Sequence, residues 1–329
     1  MFPFEICGIE VQHGDIVEDN TKYIEHFQKM GKNVEHFFRD IFGRNKRYRI
    51  DLKKESSLTL AIAAAKKVLK KTGTSAKDLD MIIFSSYLPE YVAPPSSVLL
   101  HYALGGKEEC ICYDINVDCT GMSTALGITA KYLSASESTN KILIVGCDII
   151  NMAADPNSEY SYGIYGDAAC AMIIQKTKSD CGLVDSKFWV NSEEHADIVF
   201  PGCGFSKLFQ VKDPSKLRLR WKPTATVNIQ DAAEKILALL KRNNLTVKDI
   251  KMFCCSQSVY KFLQKIRTLL SIDKKQSLYV GGEYGYTGTT SPFIVLWKSL
   301  QEGLVQKGDY VVIWTFGSGR TNIILLLKY

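Results

Sequence analysis

The sequence lacks the features that would assign it to a membrane, secreted or zinc-binding class. It contains no run of about 18 apolar residues, the length that a membrane-spanning helix needs, so membrane insertion is not expected. The first residues, Met1 to Glu5, are not a basic segment followed by an apolar stretch, and no secretory leader is predicted. Neither a CxxC nor an HxxxH spacing occurs, which argues against a structural zinc site.

The remaining composition is typical of a globular protein in a reducing compartment. Hydrophobic residues make up 46% and charged residues 23% of the 329 residues, which excludes disordered and fibrous classes. The net charge is only +6 and the charges are scattered, so nucleic acid is not expected as a partner. Several of the ten cysteines lie in apolar runs, where a reduced thiol packs as a small hydrophobe. We therefore predict a cytoplasmic protein.

Apolar, strand-like runs alternate with helical patterns along the chain. The clearest helix is predicted over 57–71, where Leu58, Ile62, Ala65 and Leu69 form one apolar stripe. Strands that are hydrophobic throughout are typical of sheets covered on both faces, so the fold class is α/β. The predicted strands are 6–9, 81–85, 111–117, 142–146, 169–174, 252–255, 278–280, 310–315 and 322–327.

Two segments suggest an internal duplication. Residues 75–85 (SAKDLDMIIFS) and 244–256 (NLTVKDIKMFCCS) both follow a predicted helix and lead through a polar turn into an apolar strand. Their separation of about 170 residues is that of a domain-sized repeat. We predict two similar halves, 1–176 carrying a nucleophilic cysteine and 177–329.

The candidate nucleophile is Cys119. A buried strand is predicted to end just before it, and a helical pattern with small residues begins at it. A cysteine at a helix N-terminus is close to free backbone N–H groups and to the positive end of the helix dipole, which stabilise a thiolate and lower its pKa. The same N–H groups can stabilise the oxyanion that forms when a thiolate attacks a thioester.

The segment around Cys119, with four others, resembles β-ketoacyl-acyl-carrier-protein synthase III of the thiolase-like superfamily. The five segments follow in the family's order along the whole chain: 42–47 (FGRNKR), 94–97 (PPSS), 114–126 (DINVDCTGMSTAL), 165–172 (YGDAACAM) and 316–319 (FGSG). The resemblance implies a duplicated α/β/α/β/α five-layer fold that is usually dimeric. It also implies no permanently bound cofactor, with acyl-coenzyme A (acyl-CoA) or an acylated acyl carrier protein (acyl-ACP) as co-substrate.

The resemblance assigns roles to individual residues. It implies that Cys119 carries the acyl group and that the backbone N–H groups of Cys119 and Ser318 form the oxyanion hole. The family's aromatic contact to coenzyme A corresponds to Phe37, whereas its basic neighbour corresponds to Ile41.

At two positions the sequence departs from the family. The family's active-site histidine corresponds to Ser256 in the segment 256–259 (SQSV), and its asparagine corresponds to Tyr286 in 285–287 (GYT). A serine hydroxyl does not titrate near pH 7 and is a weaker donor to a developing enolate than an imidazole. We therefore do not expect ordinary initiation of fatty-acid synthesis.

Transfer of an acyl group to an alcohol, amine or thiol would still need a base, because the acceptor must lose a proton. Of the five histidines, His26 and His36 are predicted to be solvated and His101 to be structural. Of the other two, His13 and His195, the candidate singled out is His195, in the polar stretch that precedes the second group of strands. An amine of the acceptor itself or a relay through Tyr286 are the alternatives.

Three functions follow. The first is an acyltransferase of the synthase III type, acting through an acyl-Cys119 thioester in specialised lipid or secondary metabolism, as a homodimer. The second is a catalytically degenerate subunit that forms a heterodimer with an active paralogue. The third is a decarboxylating β-ketoacyl synthase whose site has been remodelled around Ser256 and Tyr286.

Overall fold

The fold is described from a computed structural model that covers residues 1–222 and 227–329. The strands are β1 (Phe2–His13), β2 (Ile16–Asp19), β3 (Lys46–Arg49), β4 (Met81–Ser85), β5 (Ile111–Ile115), β6 (Lys141–Asp148), β7 (Ala168–Lys176), β8 (Gly182–Val190), β9 (Ile198–Val199), β10 (Arg220–Trp221), β11 (Ile250–Cys255), β12 (Tyr310–Phe316) and β13 (Thr321–Lys328).

The α-helices are α1 (Thr21–Lys29), α2 (Ser57–Thr72), α3 (Ser96–Leu104), α4 (Gly121–Ala135), α5 (Ile229–Arg242), α6 (Tyr260–Leu270), α7 (Gly281–Tyr284) and α8 (Ser291–Gln301). No helix within the described ranges is long and apolar enough to cross a bilayer.

The predicted helix over 57–71 is confirmed as α2, and its ends have local causes. Ser56 accepts a hydrogen bond from the Thr59 N–H, the Thr59 hydroxyl accepts one from the Ser56 N–H, and Gly73 ends the helix in the left-handed conformation. The predicted stripe is displaced, because Leu58 and Ile62 are only partly buried while the neighbouring small residues face the sheet.

The same strand order occurs in both halves of the chain. In the first half, β1 pairs antiparallel with β7, β7 pairs antiparallel with β6, and β6 pairs parallel with β4. In the second half, β8 pairs antiparallel with β13, β13 pairs antiparallel with β12, and β12 pairs parallel with β11. Two residue pairs between β1 and β8, Phe2 with Leu183 and Pro3 with Gly182, join all nine strands into one sheet. The boundary at residue 176 stays a prediction.

The hydrophobic cores define five layers. One core contains α4 and α8 together with one face of the strands of both halves, for example Ile83, Ile144, Ile313 and Leu325. The opposite faces are covered by α2 in the first half and by α5 and α6 in the second. The predicted α/β/α/β/α arrangement is therefore present, with α4 in the central layer.

Most predicted strands are present, but residues 278–280 are not a strand, and β2, β3, β8, β9 and β10 were not predicted. The segment 278–280 is held instead by a side chain: the Gln257 amide oxygen accepts a hydrogen bond from the Val280 N–H, at 2.9 Å. The middle of β8 is polar, with the sequence Asp-Ser-Lys at 185–187, and most of the strand is partly exposed. A search for uniformly hydrophobic strands therefore misses it.

The Arg44 side chain forms hydrogen bonds with both halves of the chain. Its guanidinium is fully buried and donates to the carbonyl of Ile164 at 2.9 Å, and across the interface to those of Gln257 at 3.0 Å, Ser258 at 2.6 Å and Gly281 at 3.3 Å. A planar guanidinium has five N–H donors and can hydrogen-bond to carbonyls in several directions at once. The segment 42–47, which the sequence singles out, therefore has an architectural role.

Replacing Arg44 with lysine should lower the free energy of unfolding by about 3 kcal/mol, because one ammonium group cannot reach all these carbonyls and several would be buried without a donor. Urea denaturation followed by circular dichroism measures the change. Arg39→Lys is the matched control, since the Arg39 side chain is 71% exposed and contacts Asp40 beside it. A shared denaturation midpoint for Arg44→Lys and wild type would contradict this role.

Candidate active site

Cys119 lies in a tight turn between the strand β5 and the helix α4, as predicted. The turn spans Asp118–Thr120, and Asp118 has a left-handed backbone with φ of 51°. Gly121 begins α4 against Ser85; a Cβ atom here would lie 2.3 Å from the Ser85 hydroxyl oxygen, so a side chain would displace the turn. The sequence DCTG thus places the thiol at the carboxyl edge of the sheet.

The thiol opens into a large cavity of about 850 Å³. This size is within the roughly 300–1,000 Å³ of small-molecule sites. Aromatic side chains from both halves and from the segment between β8 and α5 contribute to its walls, among them Phe37, Phe42, Phe200, Trp221, Phe262 and Phe316. That segment is attached to the first half, since the Leu219 N–H donates to the Ala153 carbonyl at 2.7 Å. Part of this polar segment therefore covers the cavity.

Tyr286, the residue at the family's asparagine position, lies beside Cys119, and Ser256, at the histidine position, lies beside Tyr286. Tyr286 is fixed by backbone bonds to the first half: its N–H donates to Ile164 and its carbonyl accepts from Gly166, each at 3.0 Å. Its hydroxyl interacts with the Cys119 thiol and with the Ser256 hydroxyl, and both influence the pKa of Tyr286, which burial raises well above its ordinary value. A phenol in this position is neutral at pH 7 and can donate a hydrogen bond.

Ser256 follows β11 and is 4% exposed. Its hydroxyl oxygen has no hydrogen-bond partner that meets normal geometry among the described residues, although it lies close enough to Tyr286 to lower the pKa of that phenol. The backbone on both sides of it is held: Arg44 donates to the Gln257 carbonyl at 3.0 Å, and the Gln257 side chain donates to the Cys255 carbonyl at 2.8 Å. The serine is therefore held in place next to Tyr286.

The predicted lowering of the Cys119 pKa is wrong for the free protein. Burial raises the pKa of the Cys119 thiol well above its ordinary value, and the negative charges of Asp118 and Asp148 raise it further, while the hydrogen bond with Tyr286 lowers it. The Asp148 carboxyl is itself buried, which raises its pKa to about 7. Burial and two acidic side chains thus outweigh the helix N-terminus, and the resting nucleophile is a thiol.

Ser318 lies beside Asp118, but its backbone N–H is already engaged. It donates to the Asp118 carboxylate at 2.5 Å, and the glycine before it is required there, because a Cβ atom on Gly317 would lie 2.7 Å from the same carboxylate oxygen. The group that the resemblance assigns to the oxyanion hole is thus occupied by a carboxylate of the chain. Its role in catalysis stays a prediction.

Phe37 lines the cavity, together with Ile41, from a short π-helical turn. Its ring packs edge-on against Phe42 and Tyr160, with centroid distances of 4.7 and 5.2 Å. The aromatic residue that the resemblance assigns to coenzyme A binding is therefore a surface of the cavity. The position of the basic neighbour is occupied by the apolar Ile41.

None of the five histidines, all of which lie in the described ranges, lines the cavity. His195, the predicted candidate base, is exposed, and its Nδ1 lies 3.0 Å from the Ser192 carbonyl. This placement does not support a role in proton transfer.

The other histidines have structural or solvent-facing positions. His26 is not solvated as predicted, because it contacts the Pro156 carbonyl at 2.8 Å and packs against Tyr162. His36 is exposed, as predicted. His101 contacts a backbone carbonyl at 2.7 Å, which fits the predicted structural histidine.

Sequence reasoning missed Asp118. It directly precedes the nucleophile and lines the cavity, yet the sequence pattern alone assigns it only the end of a strand. A charged residue at the end of an otherwise apolar strand, next to a candidate nucleophile, was the available signal.

The thiol reactivity of Cys119 should respond in opposite directions to its two neighbours. Asp118→Asn should raise the rate of Cys119 alkylation at pH 8 by roughly tenfold, because removing a like charge beside a buried thiol favours the thiolate. Tyr286→Phe should lower that rate, because the thiolate loses a hydrogen-bond donor. Iodoacetamide labelling followed by peptide mass spectrometry measures Cys119 separately from the other nine cysteines.

The two variants are controls for each other, since both change one side chain beside the same thiol. Equal rates for wild type and Asp118→Asn, or a faster rate for Tyr286→Phe, would contradict the electrostatic description of the site.

Comparisons with known proteins agree with this geometry. Two family models match: "3-Oxoacyl-[acyl-carrier-protein (ACP)] synthase III" over residues 113–192, and the C-terminal model of the same synthase over residues 240–329, together more than half of the chain. A β-ketoacyl-ACP synthase III of Clostridium perfringens is 26% identical over 92% of this chain and 94% of its own length. One from Helicobacter pylori is 24% identical over 81% and 82%.

Solved structures share the fold. The 3-oxoacyl-ACP synthase III of Aquifex aeolicus superimposes with a TM-score of 0.88 at 20% identity, covering 99% of this chain and all of that one. A variant of OleA from Xanthomonas campestris superimposes with a TM-score of 0.85 at 18% identity, covering 99% and 98%. This chain is therefore a β-ketoacyl-acyl-carrier-protein synthase III-like protein of the thiolase-like superfamily.

Proposed function

We propose that this chain is an acyltransferase that takes an acyl group from acyl-CoA or acyl-ACP onto Cys119 and passes it to an alcohol, amine or thiol. The observation that carries the proposal is the position of Cys119, at a strand-to-helix turn that opens into an aromatic cavity of about 850 Å³. An acyl chain on the thiol would be buried against apolar walls. The relatives are named as β-ketoacyl-acyl-carrier-protein synthases III, which supports an acyl-group substrate.

The donor is a thioester of coenzyme A or of acyl carrier protein. Phe37 offers an aromatic surface in the cavity, and a further OleA variant with the same fold was solved with bound lauric acid and lauroyl-CoA. Both observations support a long or bulky acyl thioester as substrate. The absence of a basic side chain at Ile41 favours a binding mode that depends less on phosphate contacts.

The surroundings of Cys119 favour simple transfer over decarboxylative condensation. Decarboxylation of a malonyl donor leaves an enolate, which needs strong donors or a nearby cation. No histidine lines the cavity within the described ranges, and the side chains at the family's asparagine and histidine positions are the neutral hydroxyl groups of Tyr286 and Ser256. Transfer to a heteroatom nucleophile requires no enolate and is compatible with this set of groups.

Dimerisation is part of the proposal. β5 is an end strand of the nine-stranded sheet, and Tyr102 on the adjacent helix α3 is 87% exposed. An open strand edge beside an exposed aromatic residue is an arrangement that pairing with another chain covers. A homodimer formed by purified protein alone is expected in light scattering.

A second function, that of a degenerate subunit, is favoured by one observation. The Ser318 N–H is bonded to the Asp118 carboxylate rather than free for an oxyanion, and the pKa of Cys119 is raised. A partner subunit would then carry out the reaction, and this chain would not be acylated.

Intact-protein mass spectrometry decides between these functions. Incubation with a panel of acyl-CoA and acyl-ACP thioesters should add the mass of one acyl group to the wild-type protein and none to Cys119→Ala, because the thioester forms on that sulfur. Cys203→Ala, which removes another partly exposed thiol away from the cavity walls, is the matched control and should be acylated normally.

If folded wild-type protein gains no mass with any donor, the degenerate-subunit function replaces the proposed one. A β-keto product formed with release of carbon dioxide from a malonyl donor would instead establish the decarboxylating synthase.

A further inference from the structure

Four carboxylates line the cavity, and three of them are in ion pairs. Glu194 pairs with Arg320, Asp197 with Lys222 and Asp231 with Lys235. The fourth is Asp118, which is the chain neighbour of the nucleophile. A carboxylate that is already paired with a cation is a poor proton acceptor. Asp118 differs from the other three because it is next to the nucleophile and forms no such ion pair among the described residues.

The backbone directs the Asp118 side chain into the site. Its φ of 51° is in the left-handed region, which few residues other than glycine, asparagine and aspartate adopt. The conformation aims the carboxylate at the turn 317–319, where the Ser318 N–H donates to it at 2.5 Å. A hydrogen bond from a backbone N–H stabilises the ionised form of a carboxylate and fixes its orientation.

We propose that Asp118 is the general base that removes the proton of the acceptor when the acyl group leaves Cys119. The proposal rests on the acyltransferase function proposed above. In the second half-reaction, the transfer of the acyl group from Cys119 to the acceptor, Asp118 takes the place of the absent imidazole.

The step balances in protons and electrons. The lone pair of the acceptor oxygen, nitrogen or sulfur forms a bond to the thioester carbonyl carbon, and the acceptor proton moves to the Asp118 carboxylate. The tetrahedral intermediate then collapses, the carbon–sulfur bond breaks, and the electron pair leaves on the Cys119 sulfur. Asp118 returns its proton to that sulfur, so the cycle ends with the carboxylate and thiol of the resting protein.

The neighbouring groups suit this cycle. Burial raises the pKa of the Cys119 thiol, so the free sulfur retains the proton that Asp118 returns. The titratable groups that respond to the charge of Asp118 are acidic, thiol or phenolic, so none of them competes as a cationic partner: Tyr87, Cys119, Asp148, Tyr165 and Tyr286.

Acyl exchange with the isolated acyl-enzyme tests the proposal. Wild-type protein and Asp118→Asn are loaded to completion with the same acyl-CoA, freed of excess donor, and allowed to lose the acyl group to water or to hydroxylamine. Water is a weak nucleophile that depends on a base, whereas hydroxylamine attacks thioesters without one. Asparagine tolerates the left-handed backbone and keeps an oxygen for the Ser318 N–H, so the turn is preserved.

Hydrolysis should be about 100-fold slower in Asp118→Asn, the usual contribution of a general base, while loss to hydroxylamine should be unchanged. The wild-type hydrolysis rate should fall on acidification, and the rate of the variant should lack this fall. Asp118→Gly is the second variant, for use if Asp118→Asn is poorly folded. Glycine adopts the left-handed backbone readily and removes the carboxylate, so the same slowing of hydrolysis is expected.

Equal hydrolysis rates and equal pH profiles would overturn the role of Asp118 as base. An equal slowing with water and hydroxylamine would also overturn it, because that result indicates blocked access. The loading of wild-type protein with the acyl group is measured first. If wild-type protein accepts no acyl group, the acyltransferase function itself is wrong, and this outcome is distinct from a failure of Asp118 as the base.

Discussion

The arrangement of the site depends on the buried guanidinium of Arg44. It lies where the two halves meet and satisfies carbonyls on both sides, including that of Ser258, two residues after Ser256. A buried cation with carbonyl partners on several segments costs a great deal to displace, so those segments cannot shift independently. The relative position of the nucleophile from one half and of Tyr286 from the other is therefore set by packing before any substrate arrives.

That rigid frame surrounds a chemically unusual nucleophile. The helix N-terminus and Tyr286 favour the thiolate of Cys119, while burial and two carboxylates oppose it, and the opposing effects are larger. In the absence of substrate, Cys119 is consequently a protonated thiol.

The sequence was sufficient for the fold and for the position of Cys119, and insufficient for Asp118 and for the electrostatics of the site. Continuous apolar strands predicted the α/β class, and the resemblance carried by the motif around Cys119 implied the five layers; Tyr286 lies beside the thiol, and Ser256 beside Tyr286. The pKa of Cys119 could not be predicted, because it depends on burial and on Asp148, which reaches the site only through the fold. The choice of His195 failed for the same reason: distance along the chain says nothing about where a loop turns its side chains.

The pairing of the first strand has a consequence for how the protein folds during synthesis. β1 is translated long before its neighbours, β7 and β8, with which it forms pairs such as Val11 with Cys170 and Phe2 with Leu183. Closing so long a segment is entropically costly and slow. During synthesis β1 therefore has no strand partner until β7 has left the ribosome, and its apolar side chains are unpaired for that time.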